Sequence, residues 1–88
     1  MKVSILTSTY NRADKLHNLY KSIQSNLIPE IEVEWLIMDD GSSDKTKEEI
    51  DKFVSENIFN IQYFHQENKG KMNALNTLVD LSSRRIHN

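Results

Sequence analysis

The sequence predicts an α/β fold, a three-layer, Rossmann-like βαβαβα chain around a short parallel sheet. Two observations carry that expectation. Three short runs of β-branched and apolar residues alternate with three stretches whose apolar residues recur at helical spacing. Each connection between successive strands is long enough to hold a helix, which argues for parallel strands and right-handed crossovers.

The elements follow in order. Val3 to Thr7 is a β-branched and apolar run that predicts strand one, and Ser8-Thr9-Tyr10-Asn11-Arg12 is the polar turn after it. From Asp14, the residues Leu16, Leu19, Tyr20, Ile23 and Leu27 step by three and four along one helical face, and Pro29 is read as the stop. Ile31, Val33, Trp35, Leu36, Ile37 and Met38 pass from alternation to continuous apolarity, as in a strand entering a sheet covered on both faces. Ser43 or Asp44 can cap the next helix, while Thr46 with Glu49 has capping-box spacing, so both starts stay open. Ile50, Phe53 and Val54 mark its inner face, with Ile58 at the far limit.

Ile61-Gln62-Tyr63-Phe64 predicts strand three, followed by the polar loop Gln66-Glu67-Asn68-Lys69-Gly70-Lys71. Met72, Leu75, Leu78 and Val79 then predict helix three, and the tail from Ser82 to Asn88 shows no periodicity. No internal repeat, low-complexity tract or linker interrupts this order.

Composition narrows the classes of function. At 88 residues the chain is one domain with a thin core. Eleven basic against thirteen acidic residues leave a net charge of −2, so bulk attraction to nucleic acid or an anionic membrane is not expected. The absence of cysteine excludes disulfides and thiolate metal sites. The apolar stretch near Met1 is too short for a signal segment or a membrane span, and the chain is read as soluble and cytoplasmic.

Chemistry is expected where three loops meet at the carboxyl ends of the strands: Ser8 to Arg12, Asp39 to Asp44, and His65 to Lys71. Strand two ends abruptly in Asp39 and Asp40, and the third loop carries Gly70 between Lys69 and Lys71. Carboxylates accept hydrogen bonds from base N–H or ribose hydroxyl groups, and lysines with helix N-terminal amides suit phosphates, so the set suits a nucleotide. The same residues also fit plainer roles. Asp-Gly and Ser form ordinary turns, and exposed lysines are common. A metal held by Asp39 and Asp40 would need a third carboxylate, which strands one and three do not offer. His17, His65 and His87 are left out of the site, and Trp35 and Phe53 are read as core.

Three stretches, Val3 to Arg12, Met38-Asp39-Asp40-Gly41-Ser42-Ser43-Asp44 and Gln66 to Asn76, resemble in order and spacing the opening of a family 2 glycosyltransferase with the GT-A fold. The resemblance covers residues 1 to about 80. It implies that the chain is the N-terminal, nucleotide-binding part of a GT-A nucleotide-diphospho-sugar transferase domain, incomplete because it ends before the Asp-x-Asp strand. Thr9, Tyr10 and Asp40 would then hold base and ribose, with Gly70 and Lys71 flanking the pocket and Asn11 and Asp39 completing the nucleotide-binding set. The implied partner is a nucleotide sugar, taken first as a UDP-sugar.

The complete family enzyme would use a divalent metal, Mg or Mn, held by an Asp-x-Asp motif, and a catalytic carboxylate further on; no Asp-x-Asp occurs in this sequence. Ser8 stands where the family usually has proline. No catalytic residue and no metal ligand is therefore assigned, and the chain alone is expected to be inactive. The alternative reading is a non-catalytic α/β module that binds a nucleotide or a protein. In the GT-A fold the fourth strand lies beside strand one, so self-association through that exposed strand is a further expectation.

Overall fold

A computed structural model describes residues 1–68 and 70–86, with the side chains of Lys71, Met72 and residues 82–86 outside the description. Lys69 and His87, both weighed above, also lie outside the described residues. Strands β1 (Lys2–Thr9), β2 (Glu32–Asp39) and β3 (Asn60–His65) pair in parallel in the order β1-β2-β3. Helices α1 (Ala13–Ser25) and α2 (Thr46–Glu56) form the two crossovers, and α3 (Lys71–Ile86) follows the last strand. The register sets Thr9 beside Asp39 and Asp39 beside His65, so the three strands finish level. All loops that leave their carboxyl ends therefore start from one rim.

The continuous apolar run of β2 has its cause in two cores. Trp35 and Ile37 join Leu16, Tyr20 and Ile23 of α1, Ile50 and Phe53 of α2, and Ile61 of β3. Leu36 and Met38, on the alternate positions, join Ala74 and Leu78 of α3 instead. The sheet is thus the middle of three layers. On the first face Tyr20 stacks on Phe53 with ring centroids 4.1 Å apart. Burial, then the hydroxyl's hydrogen bond to the Glu56 carboxylate, pushes the Tyr20 phenol up to about 12. Trp35 Nε1 donates to Thr7 Oγ1 at 2.9 Å, so the fully buried indole leaves no polar atom stranded. Glu34, a buried glutamate of β2, meets Lys2 Nζ at 3.4 Å and accepts from Ser4 Oγ at 3.4 Å.

Several elements differ from their expected bounds. β1 extends to Thr9, because Asp40 N–H reaches Thr9 O at 2.8 Å and keeps the ladder going past the polar turn residues. α1 stops at Ser25, before Pro29, where Asn26 N–H bonds to the Ile23 carbonyl and Leu27 N–H to that of Gln24; Leu27 packs on the core from outside the helix. α2 ends where Asn57 adopts a left-handed φ of 54°, which turns the chain so that Phe59 rather than Ile58 meets the core. Val54 and Ile58 are accordingly exposed, at 46% and 41%.

In α3 the buried positions are Ala74 and Leu78, with Leu81 beside them, and Val79 is 53% exposed. A helix lying close over a sheet needs a small residue at the contact, a signal lost when only large apolar residues are counted. The helix also continues through Ile86, across the segment whose sequence has no apolar period.

This register of α3 separates two neighbours that the sequence treated alike. Leu78→Ala is expected to cost about 2–5 kcal/mol through lost burial and a cavity, against less than about 0.5 kcal/mol for Val79→Ala. Urea unfolding midpoints of the two variants check this.

Candidate functional site

The rim is built by three polar stretches that bind each other through side chains. Alternation sends Asp39, the last residue of β2, and Asp40, just past it, to opposite faces. Asp39, 1% exposed, turns toward the α1 and α2 layer, where Oδ1 accepts Ser42 N–H at 2.8 Å and Oδ2 accepts the Tyr63 hydroxyl at 2.6 Å. Burial and then this hydrogen bond to Asp39 raise the Tyr63 phenol well above its ordinary range. Asp40, 4% exposed, turns toward the third loop. Its Oδ1 accepts Gln66 Nε2 and its Oδ2 accepts Gly70 N–H, both at 2.9 Å.

Gly41 lies between them for two reasons. Its φ is +83°, and a Cβ there would stand 3.0 Å from the Asn68 backbone nitrogen. A side chain at this position would push the third loop away from the second.

The first loop is tied to the second by a reciprocal set. Asn11, at a left-handed φ of 51°, accepts Ser43 N–H at 2.8 Å and Asp44 N–H at 3.2 Å on Oδ1, while its own N–H donates to Ser42 Oγ at 2.8 Å. Asp44 then serves two helices at once. Its Oδ2 accepts Ala13 N–H, at the start of α1, at 3.3 Å, and its Oδ1 accepts Thr46 N–H, at the start of α2, at 3.0 Å and the Thr46 hydroxyl besides. Arg12 and Lys45, in the N-cap positions, offer no side-chain cap of their own. Asp44 replaces both caps, in a place where two helix dipoles favour negative charge. The Thr46 hydroxyl is the main cause that lowers the Asp44 pKa, and the Thr46 and Ala13 amides add to it against the opposing effect of burial.

Between the fastened loops opens a cleft of about 630 Å³ lined by Ser8, Thr9, Tyr10, Arg12, Asp40, Asn68 and Gly70. The structure thus brings Thr9, Tyr10, Asp40 and Gly70 of the expected set together on one wall line. Asn11 and Asp39 do not line the cleft, and their side chains hold loops in place. Lys71 begins α3, with its side chain outside the described residues. Ser8, Arg12 and Asn68 line the cleft without having been singled out; all three lie inside the motif stretches, and their position on the two loops flanking Asp40 was the available signal. Thr9 Oγ1 is buried with no hydrogen-bond partner among the described residues.

A larger groove of about 770 Å³ runs between α1 and α2, walled by exposed Lys21, Lys45 and Lys52 and by the core residues Tyr20 and Phe53, and the Tyr20 hydroxyl in it is already bonded to Glu56. The described residues do not fit the divalent cation implied above. No three His, Asp or Glu side chains among them gather into a metal-holding group, and Asp39 and Asp40 already accept hydrogen bonds on both oxygens. Among the described residues no helix is long and apolar enough to cross a membrane.

Residues 4–86 match the model of glycosyl transferase family 2. The chain is 40% identical over 68 residues to an uncharacterized glycosyltransferase of Mycoplasma pneumoniae, a match that covers 77% of this chain and 23% of that protein. It is 36% identical over 81 residues to the poly-β-1,6-N-acetyl-D-glucosamine synthase of Staphylococcus epidermidis, covering 92% of this chain and 19% of the synthase. Among solved structures it is similar to a mannosyltransferase from Pyrobaculum calidifontis in complex with GDP-Man and Mn²⁺. The TM-score is 0.66 at 26% identity, over 88% of this chain and 23% of the mannosyltransferase. The chain therefore spans under a quarter of the length of the relatives it matches.

The lowered pKa of Asp44 gives the loop assembly a defined acid limit. A carboxylate whose pKa falls on folding adds stability that is fully present above the ordinary value of 3.8 and is lost as pH drops through the depressed value. Asp44→Asn should therefore be less stable than the parent at about pH 5, with the gap closing toward about pH 2. Denaturant midpoints measured across that range check the sign.

Proposed function

The chain belongs to glycosyl transferase family 2, and from that membership we propose that the cleft at the ends of β1 and β2 is the donor side of a sugar-transfer site, holding the nucleoside end of a nucleotide sugar. The observation that carries the reading is the convergence of Thr9 and Tyr10, Asp40, and Gly70 on one cleft of about 630 Å³. A volume of that size is in the range of small-ligand pockets. It also sits where open parallel sheets collect their ligands, outside the carboxyl ends of the strands.

Each lining residue has chemistry to offer. Tyr10, 46% exposed, presents an aromatic face to a base. Thr9 brings a buried hydroxyl that lacks a protein partner among the described residues, and a ligand donor or acceptor would satisfy it. Arg12 supplies a cation suited to phosphate, and Gly70, just ahead of α3, puts no side chain in the way of a ligand there. Asn11 and Asp39 act one step back, by holding the loops that carry these groups. The proposal extends to donor binding, since the chain spans under a quarter of the length of its relatives.

The base is proposed as uracil. The mannosyltransferase, solved with GDP-Man, makes guanosine the necessary second probe. Isotope-labelled chain titrated separately with UDP and GDP should show amide shifts at Thr9, Tyr10, Asp40 and Gly70. Thr9→Val should fold with unchanged or slightly higher stability and bind about 3- to 10-fold more weakly. Equal affinity in Thr9→Val, or shifts confined to the α1–α2 groove, would move the site. No response to either nucleotide would favour a protein-binding module.

A further inference from the structure

We infer that Tyr63 is a positioning residue for the nucleotide cleft, acting through Asp39 on the turn from which Asp40 holds Gly70. The inference rests on the donor-site reading above. Tyr63 lies in β3 on the α1 and α2 face and is half-buried against that core. It is not among the residues that line the cleft. Its hydroxyl donates to Asp39 Oδ2 at 2.6 Å, and the other oxygen of the same carboxylate takes Ser42 N–H at 2.8 Å.

Asp39 is 1% exposed, so in the folded chain bulk solvent does not compete with either donor. The phenol fixes one end of the carboxylate and the Ser42 amide the other, and between them the chain passes through Asp40 and Gly41. The orientation of Asp40 toward Gln66 and Gly70 is therefore set in part from the opposite face of the sheet. Removal of the phenol oxygen leaves the ring's packing in place and strands one oxygen of a buried carboxylate. Asp39 must then rotate or draw in water, and either move loosens the turn to Ser42.

The test compares Tyr63→Phe with Ile61→Val, a core substitution on the same strand at a residue that does not line the cleft. Each is first shown to unfold cooperatively. UDP and GDP affinities and the amide exchange of Ser42 and Gly70 are then measured for both variants and the parent. Tyr63→Phe should weaken binding by about 3- to 10-fold and speed exchange at Ser42 and Gly70. Ile61→Val should change affinity by less than about 2-fold, whatever it costs in stability. Parental affinity in Tyr63→Phe, or an equal loss in Ile61→Val, overturns the inference.

If the parent binds neither nucleotide, the donor reading fails, and exchange in the free protein decides the positioning role: faster exchange at Ser42 and Gly70 in Tyr63→Phe alone supports it, and parental rates overturn it. Should Tyr63→Phe not fold, Asp39→Asn, whose amide keeps one acceptor oxygen for the two donors Tyr63 and Ser42, is read in the same way.

Discussion

The rim of this protein depends on one buried carboxylate. Asp40 extends the β1–β2 ladder through its own N–H to Thr9, and its side chain binds Gln66 and Gly70 in the loop after β3. A charge at 4% exposure is costly unless donors surround it, so the folded chain can keep Asp40 buried only while the third loop lies against the second. The dependence runs both ways. Gly70, just ahead of α3, meets the carboxylate through its amide, and the close pass between Gly41 and Asn68 is open only because Gly41 has no Cβ. The shape of the cleft and the docking of α3 thus follow from the same ion.

Three aspartates within six residues do different work because the backbone points them in different directions. Asp39 and Asp40 differ by one position at the end of a strand and so serve opposite faces, one tied to Tyr63 and the other to Gly70. Asp44, past the turn, stays exposed and exploits the positive ends of α1 and α2 together. Its lowered pKa and the neutral phenol of Tyr63 are two outcomes of the same rule, that a hydrogen bond favours whichever form it stabilises.

Much of this was legible in the residues. The unbroken apolar run from Trp35 to Met38 means a strand with a core on each side, and the two cores exist. The motif stretches around Thr9, Asp40 and Gly70 do meet at one cleft. What could not be read depends on tertiary geometry. The division of labour between Asp39 and Asp40 requires the strand's end to be known to the residue. The role of Asn11 depends on a left-handed backbone and on two amides more than thirty positions away, at Ser43 and Asp44. On α3 the expected Leu78 is buried, but its partner at the sheet is Ala74, too small to register as hydrophobic, while Val79 is exposed.

Among the described residues, strand order equals sequence order, β1-β2-β3, with no strand inserted between two earlier ones. On a ribosome this means that each element finds its partner already made: β2 docks on β1, β3 on β2, and α3 closes over strands that have left the exit tunnel. Residues 8 to 70 contain every group that lines the cleft, so the cleft is complete once a single continuous segment has emerged. Synthesis at about 5–20 residues per second leaves each of these steps seconds in which to complete, far longer than docking of short elements requires.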